Sequence, residues 1–239
     1  MKKQVAITAT ALIVISLFTS PAFASERKPT ASPTATTSSD KKPMMSSTSK
    51  MRAMKAMCSP STAVGHTPLQ TGLPKVKKPV RVRTITLNTN CGEISFTADG
   101  TKAPLTVTAM TFLATSGYFD QSICHRLTTS GIFVLQCGDP KGTGQGGPAF
   151  MYPDENLPTA TQNNYPAGTI AMANSGPNTN GSQFFIVYAD TTLSPNYTIW
   201  GKVTKGLDIV KAIAAVGVAD GSTDGAPKQA ISIESVSVK

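Results

Sequence analysis

Few residues between 80 and 239 have side chains that could carry chemistry, so each can be weighed in turn. Cys124 and His125 put a thiol beside an imidazole, the pairing that a nucleophile and its base require. Neighbours on a strand point to opposite faces, so this pair is not expected to hydrogen-bond as a dyad. The only other histidine is His66, outside this region. No G-x-S-x-G motif is present, and no cysteine spacing suits zinc. Residues 142–147 satisfy G-x-G-x-x-G, but a dinucleotide fingerprint must open a helix after a strand. Pro148 and Tyr152-Pro153 forbid that helix, and a flexible loop is expected instead. Arg126 is different. It is a cation flanked by apolar strand residues, and on its residues alone it reads as half of a surface ion pair.

The elements that must position these groups follow from pattern. Residues 170–188 read I-A-M-A-N-S-G-P-N-T-N-G-S-Q-F-F-I-V-Y, two apolar runs with turn dipeptides between them. So many rigid, self-bonding residues suggest a built surface rather than a linker. Residues 82–87 and 92–96 read as strands, and 231–238 alternates as a closing strand. Helices are expected over 104–116, with Pro104 in its first turn and Gly117 as its stop, and over 206–215. Residues 124–139 have a hairpin pattern. Many short strands with two lone helices suggest a mainly β chain, a closed antiparallel barrel capped by the helices.

Charge separates the chain into regions. The formal charge of +9 is concentrated outside residues 80–239, where ten Lys or Arg face eleven Asp or Glu. A nucleic-acid-binding domain would carry its own basic patch, so no nucleic-acid partner is expected. Residues 1–24 have Lys2-Lys3, an apolar run over 5–18 and Ala22-Phe23-Ala24, the three parts of a cleaved secretory signal. The run is short for a membrane anchor, which needs about 20 residues. The expected location is therefore beyond the cytoplasmic membrane: secreted, wall-associated or periplasmic. Residues 25–79 are rich in Ser, Thr, Pro and Lys and are expected to be a disordered basic linker. It is either an electrostatic tether to anionic wall polymer or membrane, or a solvated spacer. The folded domain is expected over 80–239.

Read together, H-R at 125–126, Q-C-G-D-P at 136–140, G-Q-G-G-P at 144–148, M-A-N-S-G-P-N-T-N-G-S-Q-F-F at 172–185 and W-G-K-V at 200–203 resemble the cyclophilin peptidyl-prolyl isomerases, in family order. The resemblance covers about 82–238. It implies that the barrel is closed, eight-stranded and antiparallel with two capping helices, an active groove on one outer face, and no cofactor or metal. It places the catalytic arginine on Arg126 beside His125, the apolar proline pocket on Phe133, Val134, Phe185 and Leu193, and substrate-positioning polar groups on Gln136, Asn174 and Gln183 with Ala173 behind them. Tyr197 stands where many members have His, as is typical of bacterial forms. The six residues between Arg126 and Phe133 make a loop two longer than is common in the family, and Thr192 replaces the Trp of cyclosporin-sensitive members.

The implied function is rotation of Xaa-Pro bonds in exported polypeptides, assisting their folding, by a monomer. The alternative is a non-catalytic proline-peptide-binding or surface-adhesion module working through its basic tail. Four cysteines remain after export. Cys124 and Cys137 bracket the hairpin, and an oxidising location makes a disulfide between them possible. Buried free thiols are the favoured expectation, with Cys58 left odd and available to pair between chains.

Overall fold

The computed structural model describes residues 58–68 and 70–239. The expected signal and the linker as far as residue 57 lie outside the described residues. The chain divides into two units, 1–43 and 44–239, and every described residue belongs to the second.

Alternating apolar positions build the sheet. In β1 (Arg83–Thr89), Ile85 and Leu87 are buried while their neighbours face outward, and β2 (Gly92–Ala98) repeats the pattern with Ile94 and Phe96. Eight further strands follow: β3 (Ser122–Ile123), β4 (Arg126–Thr128), β5 (Val134–Cys137), β6 (Thr169–Met172), β7 (Phe184–Val187), β8 (Ile199–Lys205), β9 (Asp224–Gly225) and β10 (Ser232–Val238). They form one antiparallel sheet in the order β3-β10-β1-β2-β8-β6-β7-β5-β4-β9. Phe96 and Phe184 pack edge-on against Trp200 with centroids 5.2 and 6.1 Å away, at the centre of the inner face.

The closed eight-stranded barrel expected from the sequence is not what forms. The ladder has ten strands, and its two ends, β3 and β9, do not pair with each other. Chain rather than hydrogen bonding brings the curled sheet round. The polypeptide pairs with β10 as far as Ile123, makes a last bond on that side from Cys124 N–H to Ile231 O, and joins β5 at Arg126, with Cys124 and His125 between the two strands.

Two helices cover the sheet. In α1 (Pro104–Thr115) the cap residue Ala103 has no side-chain acceptor to offer, and the carboxylate of Glu155 supplies one. It accepts from the main-chain N–H groups of Leu105 and Thr106 at 3.0 and 2.8 Å, satisfying donors that a helix start leaves orphaned. At the other end Tyr118 N–H donates to Leu113 and Gly117 N–H to Ala114, a Schellman stop that needs the positive φ of Gly117. α2 (Leu207–Val216) buries Ile209, Val210 and Ile213.

All four cysteines are paired, Cys58 with Cys91 and Cys124 with Cys137. Free thiols and an unpartnered Cys58 are thus both corrected. The hairpin register, with Arg126 opposite Gln136, sets Cys124 and Cys137 diagonally across the strand break, close enough to bond. The first pair draws in residues assigned to the linker: Ser59 N–H donates to Asn90, and His66 N–H donates to Pro140. These contacts lie before residue 80.

Candidate active site

Strand alternation turns one set of side chains inward and presents a second set outward. In β5, Leu135 and Cys137 are in the main core, whereas Val134 packs with Tyr165, Ala171, Phe185 and Val187 in a separate apolar cluster. Register aligns this second set across four strands. Arg126 on β4 lies opposite Gln136 on β5, Gln136 opposite Phe185 on β7, and Phe185 opposite Ala171 on β6. A cation, an amide and an aromatic ring thus stand side by side on one face.

That row floors a pocket of about 160 Å³ lined by Arg126, Ile132, Val134, Gln136, Ala173, Asn174, Phe185, Leu193 and Tyr197. Its far wall is a loop that two residues hold. Asn164 donates to Leu193 O at 2.8 Å and accepts from Leu193 N–H at 3.0 Å. The buried Tyr165 hydroxyl accepts from Tyr197 N–H and donates to the carbonyl of the same residue. Burial pushes the Tyr165 phenol up to about 12, so it stays a donor at any working pH. The rings of Tyr165, Phe185 and Tyr197 pack on one another at 5.6–6.2 Å. Asn174 closes the end by donating to Asn196 O and accepting from Gly176 N–H.

A larger pocket of about 400 Å³ adjoins the first and shares Gln136, Ala173 and Asn174 with it. One wall is 144–148, which overlaps the segment 142–147 expected to be a flexible loop. It is instead wrapped round the carboxylate of Asp139, which accepts from the N–H groups of Lys141, Thr143, Gly144 and Gly146 and from the Thr143 hydroxyl. Gly146 is obligatory there, because a Cβ would run into Asp139 Oδ1. Burial opposes ionisation of Asp139, but these donors outweigh it and hold its carboxyl below the usual range.

A directed chain of hydrogen bonds joins the pockets. Arg126 Nη1 donates to Gln136 Oε1 at 3.2 Å, and Gln136 Nε2 to Gln183 Oε1 at 2.9 Å. Gln183 Nε2 then donates to the carbonyls of Gly144 and Gly146, both at 2.9 Å. Its direction is forced at both ends: a guanidinium only donates and a carbonyl only accepts. Arg126 is also paired with Asp224, through Nε and Nη2 at 2.7 Å each.

The structure therefore gathers Arg126, Val134, Gln136, Ala173, Asn174, Phe185, Leu193 and Tyr197 at one pocket, with Gln183 at the next. His125 and Phe133, both assigned to the site on resemblance, line neither pocket. His125 sits beside Gly144 with both ring nitrogens shut from solvent and unpartnered. Burial lowers its pKa, with Asp139 opposing and Arg126 adding to the effect. The Phe133 ring turns to the core side against Tyr188, 5.9 Å away, and Ile132 takes its place at the pocket. The cause is parity, since Val134 and Arg126 face outward and their immediate predecessors face the other way. Sequence reasoning missed Ile132, Asp224, Asn164 and Tyr165. Only the ion-pair reading of Arg126 hinted at an acidic partner, and nothing in the spacing pointed to Asp224.

A mainly β sheet curled round an aromatic core, flanked by two helices and bearing an arginine-edged apolar pocket on its outer face, is a cyclophilin-type architecture. Residues 84–238 match the family of cyclophilin type peptidyl-prolyl cis-trans isomerases, and the chain belongs to that family. It is 44% identical over 163 residues to "Probable peptidyl-prolyl cis-trans isomerase B" of Mycobacterium tuberculosis, covering 64% of this chain and 53% of that one. The protein of the same name from Mycobacterium leprae is 46% identical over 159 residues, covering 62% and 54%. The chain thus spans about half the length of these curated relatives. Among solved structures, a Cryptosporidium parvum cyclophilin type isomerase aligns with a TM-score of 0.58 at 30% identity, covering 66% of this chain and 98% of that one. The same protein in the presence of the dipeptide Ala-Pro aligns at 0.57.

Proposed function

We propose that this protein is a peptidyl-prolyl cis-trans isomerase that turns Xaa-Pro bonds in exported polypeptides and so assists their folding. The observation that carries the reading is a guanidinium fixed at the edge of an apolar pocket of about 160 Å³. The Ala-Pro dipeptide of the Cryptosporidium structure supports a substrate of this class. Export rests on the signal pattern of residues 1–24, and the basic linker is read as a tether or spacer outside the catalytic domain.

Rotation about an Xaa-Pro bond must break amide resonance, and uncatalysed exchange takes tens of seconds or longer. No covalent step is needed. The pyrrolidine ring enters the pocket between Val134, Phe185 and Leu193. As the bond twists, the prolyl nitrogen regains its lone pair, and an N–H of Arg126 donates to it. That hydrogen bond is stronger in the twisted state than in the planar one, so it lowers the barrier rather than merely tightening binding. The Asn174 side chain is engaged with the walls, and a peptide meets its main chain and the free edge of Gln136. Residues before the proline extend into the larger pocket.

The test is exchange spectroscopy by NMR on a short Xaa-Pro peptide with the full chain. Acceleration at substoichiometric protein is expected. Binding with exchange left at the uncatalysed rate would replace this reading with a non-catalytic peptide-binding module.

A further inference from the structure

The ion pair between Arg126 and Asp224 has more geometry than a solvated pair needs. Both carboxylate oxygens engage one edge of the guanidinium, Nε and Nη2, at 2.7 Å each. A single hydrogen bond would leave the plane free to turn, whereas a bidentate pair fixes it. The third bond, Nη1 to Gln136 Oε1, ties the opposite side. Of the five guanidinium N–H groups, three are thereby engaged, and one on Nη1 and one on Nη2 remain for a ligand.

We propose that Asp224 is the positioning residue of this site, holding the Arg126 guanidinium in the orientation that presents its remaining N–H groups to the prolyl nitrogen. The proposal rests on the isomerase reading above. Asp224 is itself placed by main chain. It lies on the two-residue β9, which pairs with β4 so that Asp224 is opposite Thr128, and Thr129 N–H donates to Thr223 O at 2.8 Å. The Ser222 hydroxyl donates to Asp224 O. β9 thus sets an acceptor beside the arginine from the adjoining strand. Both side chains are partly exposed, at 38% and 53%, where an ion pair adds little to stability. Orientation is the role that remains.

Asp224→Ala and Asp224→Asn, each in the full chain, test this with the Xaa-Pro peptide. Asp224→Ala should lower kcat by about tenfold with KM within about twofold, because the cation stays at the pocket but loses its aim. Asp224→Asn, which keeps an acceptor oxygen, should recover part of that loss. In the NMR spectrum of labelled protein, the Arg126 Nε–H signal should be protected from exchange in the wild type and lose that protection in Asp224→Ala. Adding Asp224→Ala to Arg126→Ala should cost nothing further. Wild-type kcat in Asp224→Ala, or an equal loss in the Arg126→Ala background, would overturn the positioning role and leave the isomerase reading standing. A wild type that does not accelerate exchange would overturn both.

Discussion

Gln136 donates through Nε2 to Oε1 of Gln183 at 2.9 Å, and this bond is the only hydrogen-bonded bridge between the arginine side of the groove and the loop wrapped round Asp139 among the described residues. On one side it keeps Gln136 Oε1 turned toward Arg126. On the other it holds Gln183 Nε2 against Gly144 and Gly146. Removing either amide therefore disturbs both pockets.

Gln136→Ala should lower kcat/KM by roughly 10–100-fold, since a hydrogen bond to a charged group contributes about 1.5–3 kcal/mol. Gln183→Ala should act more weakly on short peptides and more strongly on peptides long enough to reach the larger pocket. Kinetics on a length series would separate the two; equal effects at every length would contradict the bridge.

Acid should destabilise the fold in two windows. His125 has a lowered pKa in the folded state, so unfolding takes up a proton as pH falls below its unfolded value of about 6.5, and stability declines from there. Asp139, also lowered, contributes stability that is present above its unfolded value of about 3.9 and is lost as pH falls through the folded one. Urea unfolding at a series of pH values should show both slopes. His125→Phe should remove the upper one and leave the lower.

Gly138 and Gly147 form a matched pair. Gly138 has φ +92°, and a Cβ there would run into the Ser182 carbonyl, whereas at Gly147 a Cβ meets nothing within 4 Å. Gly138→Ala should cost about 2 kcal/mol or more, and Gly147→Ala less than about 0.5 kcal/mol. Equal thermal shifts for the two would refute the close approach.

Removing the Cys58–Cys91 bridge, which closes a separation of 33 residues, should cost up to about 4 kcal/mol on the loop-entropy relation. The loss should appear as a lower Tm of Cys58→Ser/Cys91→Ser, with kcat unchanged because neither residue lines a pocket.

Much of this was legible from residues alone. The alternation in β1, β2 and β10 and the Gly117 stop of α1 are local, and the loop chemistry of 174–182 announced a built surface. His125 and Phe133 immediately precede Arg126 and Val134 and line neither pocket, and the alternation weighed for Cys124 and His125 bears equally on Phe133 and Val134. Register and long-range pairing were not legible. Asp224 reaches Arg126 across 98 residues of chain, Asn164 grips Leu193 across 29, and Glu155 caps a helix some 50 residues back. None of these has a periodic signal. Closure was misjudged for the same reason, because the break at Cys124-His125 depends on which ladders the flanking residues join.

The central claim is that Arg126 accelerates rotation rather than holding the peptide. It is tested most directly by measuring exchange rate and peptide affinity together for wild type, Arg126→Lys and Arg126→Ala. The account predicts that Arg126→Ala binds within a few-fold of wild type while exchange falls by about 100-fold or more, with Arg126→Lys between them because it keeps the charge but not the fork. Exchange that survives in Arg126→Ala, or that falls only in step with affinity, would contradict it.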